Sequence, residues 1–576
     1  MQIHLWIRMN DYQTGFPLLA TWQCSSSTTV GMTTLSWHRY LRLSDNTVNT
    51  SLKKVYGIPG GGKTTWLIDY MQKSGVPFER IAFVSFSRAT IQNVKDRLSL
   101  NDDQSQYFRT IHGMNFHLLK YKKSQLAHQH LGSFPAKFSK SFLEKESRQN
   151  LDEGTHIVTA VDSIDDEFYY QMMEDRKRLL PADYVPVRLA KSAGLYLDFK
   201  RRYHQWMQDN DYIDFMGMLE QGIKQQKIPP VDLLCVDEWQ DLTPLQVQQV
   251  NFWSQNIPRS VHAGDDDQTI YSWAGANHQD FLDFPVFTPT ENETIILNKT
   301  HRLPSRVLDM SATFIRKNKN RVDKDFTAAK KTPGIIEYTN IDKVAEILRE
   351  QIKQGTCKVL VRNNALKPKI MADLVNRGIP VNVTLKNIVE AVAFMDEKKQ
   401  ALTVEDLYFI ANSKAFHGIK HFLRGGKKGL LGIADALAAS GAESIAVDEL
   451  LQYKVREVLV QAIKNGDPTV LHTKDLARAV DLYKTYGKNY QPVEISNMHE
   501  AKGSEADTVV VCLDVVKRTY VESRNPDSIE EERRVWYVAI TRTKKNLIFL
   551  EPTYRHVNFY PSPMTDYVRI YLQNNV

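Results

Sequence analysis

The chain has 576 residues, 42% hydrophobic and 24% charged, with 74 lysines and arginines against 67 aspartates and glutamates, a net charge of +7. That length excludes a single core, and that composition excludes a disordered or fibrous chain. Four scattered cysteines, Cys24, Cys235, Cys357 and Cys512, form no CxxC pair, which argues against structural zinc and disulfides and for a reducing compartment.

No apolar run approaches the ~20 residues of a membrane span. The N-terminus lacks the basic start and apolar core of a signal peptide, so a cytoplasmic protein with no membrane partner is predicted. The modest positive charge leans towards an acidic partner without naming one.

Residues 1–54 are poor in charge, carry the run CSSSTTVGMTT (24–34), and are predicted to be a poorly ordered extension. From Val55 short apolar runs alternate with helix-period segments. RIAFVSF (80–86), VDLLCVD (231–237) and RSVHAGD (259–265) read as buried parallel strands of an α/β domain. TIILN (294–298), KVLV (358–361), DTVVVCL (507–513) and NLIFL (546–550) read as the strands of a second. Long polar, helix-rich stretches interrupt both. The predicted division is 55–112 with 206–288, interrupted by 113–205, and 289–384 with 490–576, interrupted by 385–489.

GIPGGGKTT (57–65) fits G-x-x-x-x-G-K-[ST] between a short apolar run and a helix-like segment. Gly57, Pro59, Gly60, Gly61 and Gly62 would turn backbone N–H groups around phosphate oxygens at a helix N-terminus. Lys63 would reach the β and γ phosphates, Thr64 would hold Mg²⁺, and Thr65 completes the motif. LLCVDEWQD (233–241) then supplies acids at a strand end. Asp237 would bind Mg²⁺ and Glu238 would polarise the attacking water. A Gly-rich turn and a strand end with solvated acids are the plain alternatives.

GDDDQTIYSWAGA (264–276) crowds three carboxylates before a glutamine and two aromatics. One loop serving a phosphate at its start and a nucleic-acid base at its end would explain that order. Base stacking on aromatics is sequence-tolerant, which makes Trp273, then Tyr271 and Phe86, candidate platforms, with core aromatics as the competing reading.

These stretches resemble superfamily 1 helicases of the UvrD/Rep/PcrA group. DEWQD is similar to that group's DExxD signature, and GDDDQTIYSWAGA resembles its GDDDQSIYxWRGA. SFSRAT (85–90), TIHGM (110–114), NKTHRLPS (298–305), SNMHEAKGSEADTVVV (496–511) and EERRVWYVAITR (531–542) resemble its other motifs in the same order. The resemblance implies two RecA-like P-loop motor domains with parallel sheets, each carrying a helix-rich insertion. It implies that Gln268 senses the γ-phosphate, that Arg302 and Arg542 act as arginine fingers, and that Glu505 binds the ribose. It places Thr110, His112 and His499 along a DNA strand. It further implies a monomer using ATP and Mg²⁺ on single-stranded DNA and duplex/single-strand junctions, moving 3′→5′, among replication or repair proteins.

Departures from the pattern qualify this. Ala274 stands where the group has arginine, and His301 replaces a tyrosine that would stack on adenine. Upstream of the P-loop the nearest glutamines, Gln23 and Gln13, lie far back, which leaves GTP and other nucleotides open beside ATP. HGIKHFLRGGKKG (417–429) is basic enough to contact duplex phosphates or to be a solvated loop. From the short segment after the sixth motif, no nuclease domain is expected. Three readings stay open: a helicase, a translocase that strips proteins from DNA, and a nucleotide-switched binding scaffold.

Overall fold

The structure, a computed structural model, describes residues 50–138, 163–285, 287–381, 383–413, 415–416, 426–471, 473, 475–488, 491–526, 528–554 and 557–575. The predicted N-terminal extension lies outside the described residues up to 49, as do residues 417–425 of the basic stretch.

The last residues of that extension are not loose. Strand β1 runs Ser51–Gly57, and Leu52 enters the core with Val55 and Tyr56. Lys53 and Lys54 break the apolar run in sequence, which hides the strand. In the fold Lys53 pairs with Glu293 and Lys54 donates to the Phe284 carbonyl.

Five further strands complete the first sheet: β2 (Ile81–Val84), β3 (Phe108–Arg109), β4 (Leu233–Val236), β5 (Arg259–Gly264) and β6 (Glu291–Leu297). Their order is β3-β2-β4-β5-β1-β6, with β2 parallel to β3 and β4, and β4 parallel to β5. TIILN was expected to open the second sheet. It belongs instead to β6, beside β1 at the edge of the first. An apolar run identifies a strand, but sheet membership is set by pairing with a partner more than 200 residues away.

The second sheet contains β7 (Ile335–Thr339), β8 (Cys357–Val361), β9 (Glu494–Asn497), β10 (Ala506–Cys512) and β11 (Thr543–Leu550) in the order β9-β8-β10-β11-β7. Every pairing is parallel. All five residues of β8 are buried, the pattern of a strand covered on both faces.

Between β3 and β4 the helices Ile164–Lys177 and Ala193–Asp209 pack aromatics such as Phe168, Tyr196 and Phe199. Between β8 and β9, five α-helices among the described residues from Val383 to Tyr486 enclose a separate core that includes Val389, Leu407 and Ile463. Parallel sheets interrupted by helical insertions are the architecture of two RecA-like motor domains. Among the described residues no helix is long and apolar enough to cross a membrane.

The chain forms two compact units. Among the described residues, one holds 50–55, those within Thr64–Gly264 and those within Trp273–Ile295; the other holds Tyr56–Lys63, Asp265–Ser272 and those from Ile296 onwards.

Candidate active site and nucleic-acid interface

β1 delivers the glycine loop, and helix Lys63–Lys73 begins directly after it. Gly60 and Gly62 take φ of +71° and +80°, which L side chains rarely adopt. A Cβ on Gly60 would lie 2.5 Å from Arg302 Cβ and 2.7 Å from Thr300 Oγ1. Thr300 is fully buried and donates to the Pro59 carbonyl at 2.7 Å, while the His301 N–H donates to the Gly60 carbonyl at 2.9 Å. The His301 ring is exposed. Lys63 Nζ lies over its own loop, 3.1 Å from the Gly57 carbonyl, and a Cβ on Gly57 would meet the Lys63 stem at 2.5 Å. Gly61 donates to the Ile58 carbonyl at 2.8 Å, and the exposed Thr65 accepts from Arg97 at 3.0 Å.

Gly60→Ala should therefore weaken nucleotide binding about tenfold or more, from left-handed strain of ~1–2 kcal/mol together with the clash. A Cβ on Gly62 would meet nothing within 4 Å, so Gly62→Ala isolates the strain alone. Titration with a fluorescent nucleotide, alongside Tm, checks both. Equal losses in the two variants would show that the Arg302–Thr300 contact does not matter.

In the first unit Thr64 Oγ1 donates to Asp237 Oδ2 at 2.7 Å. Asp237 follows β4 and is fully buried. A hydroxyl and a carboxylate are the hard oxygen donors Mg²⁺ takes, so this pair fits that ion. Glu238 adopts φ +53°, an unusual conformation for a non-glycine residue. Its N–H donates to Asp237 Oδ1 at 3.0 Å, and its carboxylate accepts from Gln240 Nε2 at 2.7 Å. Sequence reasoning passed over Gln240, which is buried and fixes the direction of Glu238. Its place two residues after Glu238 in DEWQD was the available signal.

In the second unit Asp265, Asp266 and Asp267 are all fully buried, and so is Lys324. Lys324 Nζ lies 2.7 Å from Asp265 Oδ1 and 2.9 Å from Asp267 Oδ2, and also bonds Asp266. Arg321 grips Asp267 through Nε at 2.9 Å and Nη2 at 2.7 Å. Gln268 Nε2 donates to Asp265 Oδ2 at 2.6 Å, and Arg542 Nη2 donates to Gln268 Oε1 at 2.9 Å. Burial works to raise the Asp265 carboxyl, but the charges of Lys324 and Lys63 outweigh it and hold the group below its ordinary range. Burial raises Asp266, with the charges of its two neighbours adding to the rise.

Arg302 Nε donates to Glu505 Oε2 at 2.6 Å, and Lys544 pairs with the other Glu505 oxygen at 2.6 Å. Burial pushes Glu505 up, and Lys544 with Arg302 more than offset it. The predicted finger and the predicted ribose ligand are thus ion-paired to each other. Arg542 is buried, anchored by Nε on the Val538 carbonyl at 2.9 Å. The site residues Lys63, Gln268, Arg302, Glu505 and Arg542 lie in one unit with the glycine loop; Thr64, Asp237 and Glu238 lie in the other.

The predicted DNA contacts fall into separate groups. Trp273 is 46% exposed, unusual for so large an apolar side chain. Tyr271 is half-buried; its hydroxyl donates to the His499 carbonyl at 3.3 Å, and Lys502 Nζ lies 5.3 Å from its ring centre. The His499 imidazole is pushed down to about 3, first by burial and then by Arg362 and Lys502, so its ring stays neutral near neutral pH. Phe86 is half-buried just beyond β2.

Thr110 caps helix Ile111–Leu119, accepting from the Gly113 N–H at 3.1 Å, and His112 sets its ring edge-on to Phe215. Both line a cavity of about 660 Å³ whose wall also carries Arg88, Lys95, Arg109 and Lys123. Burial, then the Arg109 charge, lowers the Lys95 ammonium, and burial lowers Arg109. An anion entering there would relieve both. The basic wall was missed because its residues are dispersed from 88 to 123 with no run of charge.

A glycine loop followed in the chain by a helix, and a threonine–aspartate pair with a glutamate next to it at a strand end, are the parts of a P-loop nucleotide hydrolase. Residues 46–287 match the UvrD/REP helicase N-terminal domain, and residues 469–551 match the UvrD-like helicase C-terminal domain. The chain belongs to the UvrD/PcrA-type family of superfamily 1, a family of ATP-dependent DNA helicases. It is 24% identical over 473 residues to the probable DNA helicase II homolog of Mycoplasma capricolum, a match covering 75% of this chain and 61% of that protein. It is 21% identical over 605 residues to the ATP-dependent DNA helicase PcrA of Staphylococcus aureus, covering 86% and 80% respectively. The PcrA of Staphylococcus epidermidis is 22% identical over 448 residues, covering 61% of this chain and 60% of that protein. The chain thus spans less than two thirds of the Mycoplasma and S. epidermidis relatives.

Proposed function

We propose that the protein is an ATP-driven translocase that moves 3′→5′ on single-stranded DNA and separates duplex ahead of it. The observation that carries this reading is one short loop. Its start, Gln268, is held by Arg542, and five residues on Trp273 is exposed. A group that answers to a phosphate and a group that stacks on a base are joined by a few peptide links.

In this reading the glycine loop and Lys63 hold the triphosphate, and Thr64 with Asp237 hold Mg²⁺. An ion held there would supply positive charge against the negative charge that develops on the transferring phosphate. Glu238, aimed by Gln240, takes a proton from the attacking water. Arg542 and Arg302 present guanidinium groups to the oxygens of the transferring phosphoryl group, and Gln268 positions the water. The domain division is proposed as 55–112 with 206–288, and 289–384 with 490–576, with 113–205 and 385–489 inserted, amended at two edges where β1 begins at Ser51 and β6 (Glu291–Leu297) pairs in the first sheet. The strand would run past Trp273 and Phe86 and over the basic cavity bearing Thr110 and His112. His499, held neutral, would contact it without adding charge. DNA junctions are the proposed substrate, and the protein would act as a monomer in the cytoplasm.

Trp273→Ala should cost roughly 1–3 kcal/mol of strand binding, about 5- to 150-fold in affinity, and leave DNA-independent hydrolysis intact. Hydrolysis measured against single-stranded DNA concentration checks this; an unchanged half-saturation point would mean that Trp273 binds no base. Direction is tested with duplexes carrying a 3′ or a 5′ tail. Unwinding only from the 3′ tail is expected. Unwinding only from the 5′ tail contradicts the polarity, and displacement of a bound protein without strand separation favours the stripping translocase.

A further inference from the structure

Three adjacent carboxylates, fully buried, have the geometry of a cation site. The cation is supplied by the chain itself. Lys324 Nζ lies among Asp265, Asp266 and Asp267, within hydrogen-bond reach of all three. Arg321, three residues earlier, takes both oxygens of Asp267, and the Val322 N–H donates to Asp266 Oδ2 at 2.8 Å.

The consequence falls on Gln268. An ionised carboxylate only accepts hydrogen bonds, so Asp265 Oδ2 requires that the amide present Nε2 to it. That leaves Oε1 facing outward as an acceptor, and it is Oε1 that meets Arg542 Nη2. An amide has two nearly isosteric orientations, and only one can accept from a guanidinium. The choice rests on Asp265 being charged and fixed, and Lys324 keeps it so.

We infer that Lys324 and Arg321 are positioning residues for hydrolysis: a built-in cationic clamp on the aspartate triad that sets the amide orientation of Gln268 towards Arg542. This rests on the reading of Gln268 and Arg542 as phosphate-side groups. Lys324 Nζ stands among the three carboxylates where a cation would bind. The clamp lies over 50 residues from the loop it holds, in RVDK (321–324).

Lys324→Met alone would remove the one cation shared by all three buried carboxylates and leave Arg321 on Asp267, so the test uses Lys324→Met with Asp266→Asn, which returns the cluster to its present charge. Burial and the charges of its two neighbours raise the Asp266 carboxyl. The full chain is assayed for ATP hydrolysis at saturating single-stranded DNA, for KM, and for Tm. The expected result is a fall in kcat of at least tenfold with KM within about twofold. Against a Gln268→Ala background the same pair should cost nothing further, because its effect passes through the amide. If the pair does not fold, the isosteric Asp265→Asn carries the same cycle with the same expected result. A folded variant with unchanged kcat overturns the clamp, as does an equal loss in the Gln268→Ala background. If Gln268→Ala itself leaves stimulated hydrolysis unchanged, the assignment of Gln268 fails first, and the clamp with it.

Discussion

Glu238→Gln should bind nucleotide as the unaltered protein does and lose turnover by about 10²–10⁴-fold, the contribution of a positioned general base. The substitution keeps the shape of the side chain and its acceptor oxygen for Gln240, whose Nε2 now lies 2.7 Å from the carboxylate. The left-handed backbone at φ +53° and the N–H bond to Asp237 are untouched by the change. What disappears is the capacity to take a proton. Single-turnover phosphate release separates this loss from a binding defect. Hydrolysis at the full rate would remove Glu238 from the role proposed for it.

Arg542→Ala should be more damaging, by about 10³–10⁵-fold in kcat if the guanidinium stabilises the transferring phosphoryl group. The side chain is buried and anchored by Nε, so Nη2 is held in one direction, towards Gln268. Arg542→Lys should recover little, because an ammonium cannot keep the Val538 carbonyl and Gln268 in reach with a planar fork. The decisive comparison is kcat against nucleotide affinity, with Tm as a control for the lost internal bonds. A lysine variant with near-normal kcat would mean that charge alone, not the fork, is used there.

These two residues were legible for different reasons. Glu238 lies in a contiguous stretch in which a strand, an aspartate and a glutamate follow one another, so local pattern and chemistry coincide. Arg542 had no local signal of its own beyond its place in an ordered series of motifs. Lys324 had neither. Its only trace was indirect: three buried acids require cations, but nothing in the order of residues says which lysine supplies one. Thr300 and Gln240 were missed in the same way, since a hydroxyl gripping the Pro59 carbonyl or an amide gripping Glu238 is a property of pairing rather than pattern.

The strands divide similarly. β4 is a continuous apolar run, and β8 and β10 carry the shorter runs VLV and VVVC; burial on both faces makes such runs visible. β1 was visible only from Val55, because Lys53 and Lys54 interrupt it. β6 was seen as a strand and assigned to the wrong sheet; its side chains are mostly exposed, so no burial pattern tied it to either core. β7 has an exposed isoleucine and a glutamate within five residues, too weak an alternation to register alone.

The central claim is that nucleotide hydrolysis answers to a DNA strand through the loop from Asp265 to Trp273. Its most direct test is the rate of phosphate release from ATP with Mg²⁺, measured on the full chain with and without single-stranded DNA. The account predicts a slow basal rate that rises steeply and saturably with the strand. A rate that is the same at saturating DNA as in its absence would contradict it.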